Sequence, residues 1–157
     1  MIRPACAGEE AQVAALINAI NSLDGLPPTR PMTAEIVRRD LLGPEPKALL
    51  RVAEWDRALV GFATAGFVYD AERQADALML LDLYVEPAAR RRGFARGLMA
   101  ALARDAKRHG AGCLWWGVDE GDDEALVFYR SIGARSEGLF SGEIVEGVAL
   151  DRLAELA

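Results

Sequence analysis

Leu78-Met-Leu-Leu-Asp-Leu-Tyr-Val85, then Glu86-Pro-Ala-Ala-Arg90-Arg-Arg-Gly93, then Phe94-Ala-Arg-Gly-Leu98, decides how this chain folds. The first block is the strongest strand candidate in the sequence. It stops at Glu86-Pro87, because proline cannot donate to a ladder. The third block opens a helix expected to run from Phe94 to His109, with Leu98, Ala101, Leu102 and Ala106 on one face. Between them lies a turn rich in arginine and closed by Gly93. A strand feeding such a turn into a helix start makes an anion site. The first amides of a helix have no intrahelical partner, and the helix dipole adds roughly half a positive charge there. Gly93 lets a ligand approach the backbone. Arg90, Arg91, Arg92 and Arg96 can add charge-assisted contacts. The ordinary alternative is a plain strand–turn–helix with a solvated basic start.

Working back from this unit, Ile2-Arg3-Pro4 is expected to be a short strand. Glu9 to Ile20 spaces Val13, Leu16, Ile17 and Ile20 as a helix does. Asp24-Gly-Leu-Pro-Pro28 breaks it. Thr33 can cap a second helix through Leu42, ended by Gly43-Pro44. Ala48–Trp55 and Leu59–Val68 read as hairpin strands about an Asp56-Arg57 turn, and Gly61 and Gly66 mark bulges or close approaches. Working forward, Cys113–Val118 is expected as a strand. An acidic loop, Asp119 to Glu124, follows. The next helix carries Ala125, Leu126, Phe128, Tyr129 and Ile132 and stops at Gly133. One or two strands are expected in Arg135–Leu150. The order β-α-α-β-β-β-α-β-α-β-β is α+β, with a mixed, mostly antiparallel central sheet flanked by helices.

The 157 residues suit one domain, 1–157, with roughly two-thirds of the unfolded surface buried. A hydrophobic share of 52% against 27% charged residues belongs to a folded globular chain. No apolar run is long enough to span a bilayer. The polar start after Met1-Ile-Arg-Pro lacks a signal-peptide apolar region, so a cytoplasmic location is expected. Cys6 and Cys113 form neither a disulfide framework nor a metal spacing. The net charge of −6 argues against nucleic acid as a partner and favours a cationic one. A local run of three arginines on an acidic chain points to one specific anion, such as a phosphorylated cofactor, or to a solvated helix start.

Neither a Walker loop nor a GxGxxG fingerprint is present. The turn Arg90-x-x-Gly93-x-Ala95, after Leu83-Tyr-Val-Glu-Pro87, instead resembles the [QR]-x-x-G-x-[GA] pyrophosphate loop of the GNAT N-acetyltransferase superfamily. A second block resembles it too. Trp116-Gly-Val118 is followed by Asp122-x-x-Ala125-x-x-Phe128-Tyr129-x-x-Ile132-Gly133-Ala134, similar to the family's N-x-x-A-x-x-[FY]-Y helix. The opening Ile2-Arg-Pro-Ala5 is also typical. The two central blocks cover about a third of the chain.

The resemblance implies acetyl-CoA as co-substrate and no metal. It implies that backbone groups of Leu83-Tyr84-Val85 hold the pantetheine arm, where the strand carrying them splays from Leu114–Val118. Amides and side chains of Arg90, Arg91, Arg92, Gly93, Phe94, Ala95 and Arg96 would hold the pyrophosphate. Asp122, Ala125 and Phe128 would line the coenzyme, and Tyr129 would protonate the leaving thiolate. Two departures stand out. Asp122 replaces the usual asparagine. In diamine acetyltransferases, the subgroup it most resembles, a central-strand glutamate is the base; the corresponding place here is Leu81, beside Asp82. Asp82 acting through water is then the candidate base, unless the amine arrives deprotonated.

Other residues carry competing readings. Tyr129 lies in an apolar run, where core packing competes with catalysis. Asp119–Glu124 could attract an amine or could simply cap a helix, with Asp122 or Asp123 as the cap. Trp55 could face substrate or stand on an exposed hairpin. One of Trp115 and Trp116 should face the core. His109 suits a helix C-terminus, and Cys113 reads as a small buried residue. Asp24 could shape an acceptor pocket. The expected activity is acetyl transfer to a primary amine of a small cationic molecule, by direct attack in a ternary complex. A protein or peptide acceptor, or a non-catalytic acyl-CoA-binding module, is the alternative. The resemblance also implies a homodimer, formed through Leu139–Leu150.

Overall fold

Apolar periodicity and its glycine and proline interruptions divide the chain into β1 (Ile2–Pro4), α1 (Glu10–Ile20), α2 (Ala34–Asp40), β2 (Leu49–Trp55), β3 (Ala58–Asp70), β4 (Ala75–Val85), α3 (Phe94–Arg108), β5 (Cys113–Trp115), α4 (Asp123–Ser131) and α5 (Val148–Ala154). The structure is a computed structural model describing residues 1–22 and 25–156. Asp24, singled out above, lies outside the described residues. The chain forms two compact units, residues 1–119 and 120–157.

The first unit is a five-stranded sheet in the order β1-β2-β3-β4-β5. All neighbours are antiparallel except β4 and β5, which run parallel. The expected Asp56-Arg57 turn joins β2 to β3 with both residues left-handed (φ 51° and 63°). That is the backbone a two-residue hairpin demands. The Thr33 hydroxyl caps α2 by accepting from the Ile36 amide at 3.2 Å, as expected. On one face of the sheet, Val13, Leu16 and Ile17 of α1 and Val37 of α2 pack with Leu50, Val52 and Phe62. Side chains alternate along a strand. Phe62 and Thr64 therefore share that face, and Ala63 and Ala65 turn to the other, where their small size admits α3. That helix buries Leu98, Met99, Leu102 and Ala106.

Close approaches at Gly61 and Gly97 pack the sheet and α3. A Cβ on Gly61 would stand 2.6 Å from the Tyr84 carbonyl oxygen of the neighbouring strand. One on Gly97 would meet Ile2 Cγ1 at 2.8 Å, so α3 sits directly on β1. Gly61 is thus the close approach its sequence position suggested, whereas Gly66 has open space before it.

A salt bridge ties α3 to the sheet. Arg51 of β2 donates to Asp105 Oδ1 at 2.7 Å, and Arg108 donates to the same oxygen. The Asp105 side chain is 2% exposed. Its other oxygen, Oδ2, accepts no hydrogen bond from the described residues.

In the second unit, Asp122 caps α4 by accepting from the Ala125 amide at 2.9 Å. The helix ends where expected, at Gly133 (φ 94°). Ala134 N–H donates to Tyr129 O and Gly133 N–H to Arg130 O, both at 3.1 Å, the paired bonds of a Schellman stop. The expected strands within 135–150 are not formed. Residues 135–147 carry no strand, and α5 follows. Gly138, Gly142 and Gly147 interrupt the apolar pairs Leu139-Phe140 and Ile144-Val145, and the alanine- and leucine-rich run from Val148 favours a helix. The expected strand Cys113–Val118 is likewise shortened to Cys113–Trp115, ending two residues before Gly117.

Candidate active site

Residues Leu83, Tyr84 and Val85 end β4, paired with Ala63, Phe62 and Gly61 of β3. On the opposite edge, β5 pairs only with Ala77, Leu78 and Met79. Glu86 N–H donates to Val60 O at 2.9 Å. Successive amides of a strand point to opposite edges, so the N–H and C=O groups of Leu83 and Val85 face the edge that β5 does not reach. Arg90 Nε donates to the Val85 carbonyl there, at 3.1 Å.

A bulge lies two residues earlier. Thr64 pairs with Asp82, but Ala65 pairs with Leu80, so Leu81 is the extra residue. Its side chain is 56% exposed. Asp82 is half-buried, and its Oδ2 accepts a hydrogen bond from the hydroxyl of Thr64, which is 4% exposed. The pair shares the sheet face with Tyr84, whose ring lies 6.3 Å from that of Phe62.

The turn after β4 opens with a short 3-10 helix, Pro87–Ala89, anchored by Ala89 N–H donating to Glu86 O at 2.8 Å. Arg91 then adopts a left-handed conformation (φ 61°), as does Gly93 (φ 85°). For glycine this costs nothing, but a non-glycine residue with positive φ carries strain of about 1–2 kcal/mol. Left-handed residues placed this close curl successive amides toward a common point, the backbone arrangement that receives anions. Gly93 caps α3, and the first helical bond runs from Gly97 N–H to Gly93 O at 2.9 Å. The amides of Phe94 and Ala95 therefore precede the helical ladder. No atom lies within 4 Å of where a Gly93 Cβ would stand. The side chains of Arg90, Arg91, Arg92 and Arg96 are exposed. These residues suit a diphosphate: a curled run of amides, a helix start, an open approach and added positive charge.

In the second unit, Tyr129 and Phe128 of α4 hold their rings 5.2 Å apart. Burial, with the Asp122 carboxylate adding to it, pushes the Tyr129 phenol above its ordinary value. Ala125 and Phe128 are half-buried. Asp122 serves as the helix cap, the simpler of its two sequence readings. His109 caps the end of α3 and lies with its ring 4.6 Å from Phe67. Cys113, Trp115 and Trp116 are half-buried, so neither tryptophan is a full core residue.

Two features escaped the sequence. The Thr64 hydroxyl on Asp82 depends on strand register. Arg92 places its guanidinium carbon 4.2 Å from the centre of the Trp55 ring, a contact between the hairpin tip and the arginine turn. Among the described residues, no group of three His, Cys, Asp or Glu is placed to hold a metal, and no helix is long and apolar enough to cross a membrane.

A family model described as Acetyltransferase (GNAT) family matches residues 16–134. No curated protein matches the sequence. Among solved structures, the chain is similar to an integron cassette protein from the mobile metagenome of V. cholerae, with 21% identity and a TM-score of 0.79 over 99% of this chain and 97% of that one. It is also similar to an aminoglycoside acetyltransferase from an uncultured soil metagenomic sample, solved with sisomicin (19%, 0.74, 93% and 96%). A third is a ribosomal-protein-alanine N-acetyltransferase from Brucella melitensis biovar Abortus 2308 (19%, 0.70, 94% and 99%).

Proposed function

The chain belongs to the GNAT acetyltransferase family, and from that premise we propose that it moves the acetyl group of acetyl-CoA to a primary amine of a small cationic molecule, a polyamine among the candidates. The observation that carries this reading is the turn before α3. Arg91 and Gly93 are left-handed there, four arginines surround the helix start, and the turn follows directly on the strand edge that β5 leaves open. The net charge of −6 supports a cationic acceptor.

In this reading the amine attacks the thioester carbonyl directly. A C–N bond forms and the C–S bond breaks. Asp82, oriented by Thr64, takes the amine proton through a water molecule. The Val85 amide, on the open edge, polarises the carbonyl. Tyr129 gives its proton to the departing thiolate; its raised pKa keeps that proton available through the neutral range. Holding both reactants in one site supplies much of the acceleration. Residues 1–157 act as one catalytic domain, located in the cytoplasm.

Gly93→Val tests the coenzyme site. Its side chain would stand in the open space before the amides, so the fold pays only backbone strain while ligand approach is blocked. Calorimetric titration with acetyl-CoA should show at least about a tenfold rise in Kd, about 1.4 kcal/mol. Unchanged affinity would remove the turn from the coenzyme site.

The homodimer belongs to the same reading. Leu139, Phe140, Ile144, Val145, Val148 and Leu153 are exposed, an apolar content that a lone copy leaves in water. Light scattering should give twice the chain mass, and a monomer at high concentration would exclude the dimer.

A further inference from the structure

We propose that Trp55 is a positioning residue that holds the Arg92 guanidinium ready for the diphosphate of the coenzyme. The inference rests on the reading of the arginine turn as the diphosphate site and goes beyond it, because Trp55 belongs to neither family motif.

The geometry is specific. Trp55 ends β2, where the left-handed Asp56 and Arg57 fold the hairpin back. Its side chain is 43% exposed, yet the Arg92 guanidinium lies over its ring at 4.2 Å. Arg92 itself stands between the two left-handed residues of the turn, Arg91 and Gly93. Three other arginines of this unit are committed elsewhere. Arg3 is paired with Glu9 and Glu54, Arg51 with Asp105, and Arg90 donates to the Val85 carbonyl. Of the two carboxylates that flank Trp55 in sequence, Glu54 is taken by Arg3 and Asp56 belongs to the left-handed turn. Among the described residues, no carboxylate pairs with Arg92.

Stacking engages the flat face of a guanidinium and leaves its rim of N–H donors directed outward in one plane. A rim of that kind matches two phosphate oxygens at once. An arginine on a flexible stem would have to be ordered when the ligand arrives. Over Trp55 that ordering is already done. The hairpin therefore lends rigidity to a turn whose neighbouring backbone is strained. An exposed tryptophan, otherwise a liability on a hairpin tip, acquires a role.

The test compares binding of coenzyme A, dephospho-coenzyme A and pantetheine to the whole chain by calorimetry. Trp55→Ala should weaken both diphosphate ligands by the same factor, about two- to fivefold, and leave pantetheine unchanged. Trp55→Phe should restore most of the loss, since a phenyl face still accepts a cation. Arg92→Ala should weaken the same two ligands more, and adding Trp55→Ala to it should cost nothing further. Additive losses, or an equal loss for pantetheine, would overturn the positioning role. If the parent chain binds coenzyme A and Trp55→Ala binds it equally well, this inference fails and the diphosphate site stands. If the parent chain binds none of the three, the site fails and the inference with it.

Discussion

Tyr129→Phe is expected to lower kcat about 100-fold while leaving the Kd for acetyl-CoA within about twofold. Only the phenolic hydroxyl is removed; the ring stays to pack with Phe128 at 5.2 Å. Burial raises the Tyr129 pKa above its ordinary value, and the Asp122 carboxylate adds to the shift. A raised pKa on an acid keeps it protonated to higher pH. The parent enzyme should therefore show no alkaline loss of kcat traceable to Tyr129 between pH 7 and about 9. Asp82→Asn should differ. Its deficit should shrink as pH rises, because the amine then reaches the site already deprotonated and needs no base. Steady-state kinetics of both variants across pH separates the two roles. A Tyr129→Phe variant with normal turnover, or an Asp82→Asn deficit independent of pH, would remove the corresponding group from the chemistry.

Arg51→Leu should destabilise the fold by about 3 kcal/mol or more. Asp105 is 2% exposed, and its Oδ2 already accepts nothing from the described residues. Removing Arg51 leaves a buried carboxylate with Arg108, whose side chain is 66% exposed and screened by water. The midpoint of thermal unfolding should fall by on the order of 10 °C. The double change Arg51→Leu with Asp105→Leu should recover part of the loss, because breaking a buried pair costs more than replacing it. If Arg51→Leu unfolds at the parent temperature, the bridge between β2 and α3 contributes nothing to the fold.

The elements before residue 110 were legible because their signals are local. Thr33 lies next to the helix it caps, Asp56-Arg57 sits between two apolar runs, and Pro87 closes β4. What the sequence hid was non-local or rare. Asp82 finds Thr64 eighteen residues away only through strand register, and the Leu81 bulge is invisible until that register is known. Arg51 and Asp105 stand fifty-four residues apart and meet across a helix–sheet contact. The glycine of the arginine turn announced itself, but Arg91 did not, since arginine carries no preference for positive φ. The apolar pairs at Leu139-Phe140 and Ile144-Val145 looked like strands, although three glycines deny them a continuous ladder. The length of β5 depends on how far β4 stays alongside it, which no stretch of sequence around Trp116 records.

Thiol release from acetyl-CoA, followed against polyamines, aminoglycosides, amino acids and peptides, tests the proposed transfer most directly. Release that depends on a small cationic amine, and that Tyr129→Phe suppresses, is the expected result. Release with peptides alone, or none with any small amine while acetyl-CoA still raises the unfolding temperature, would contradict it.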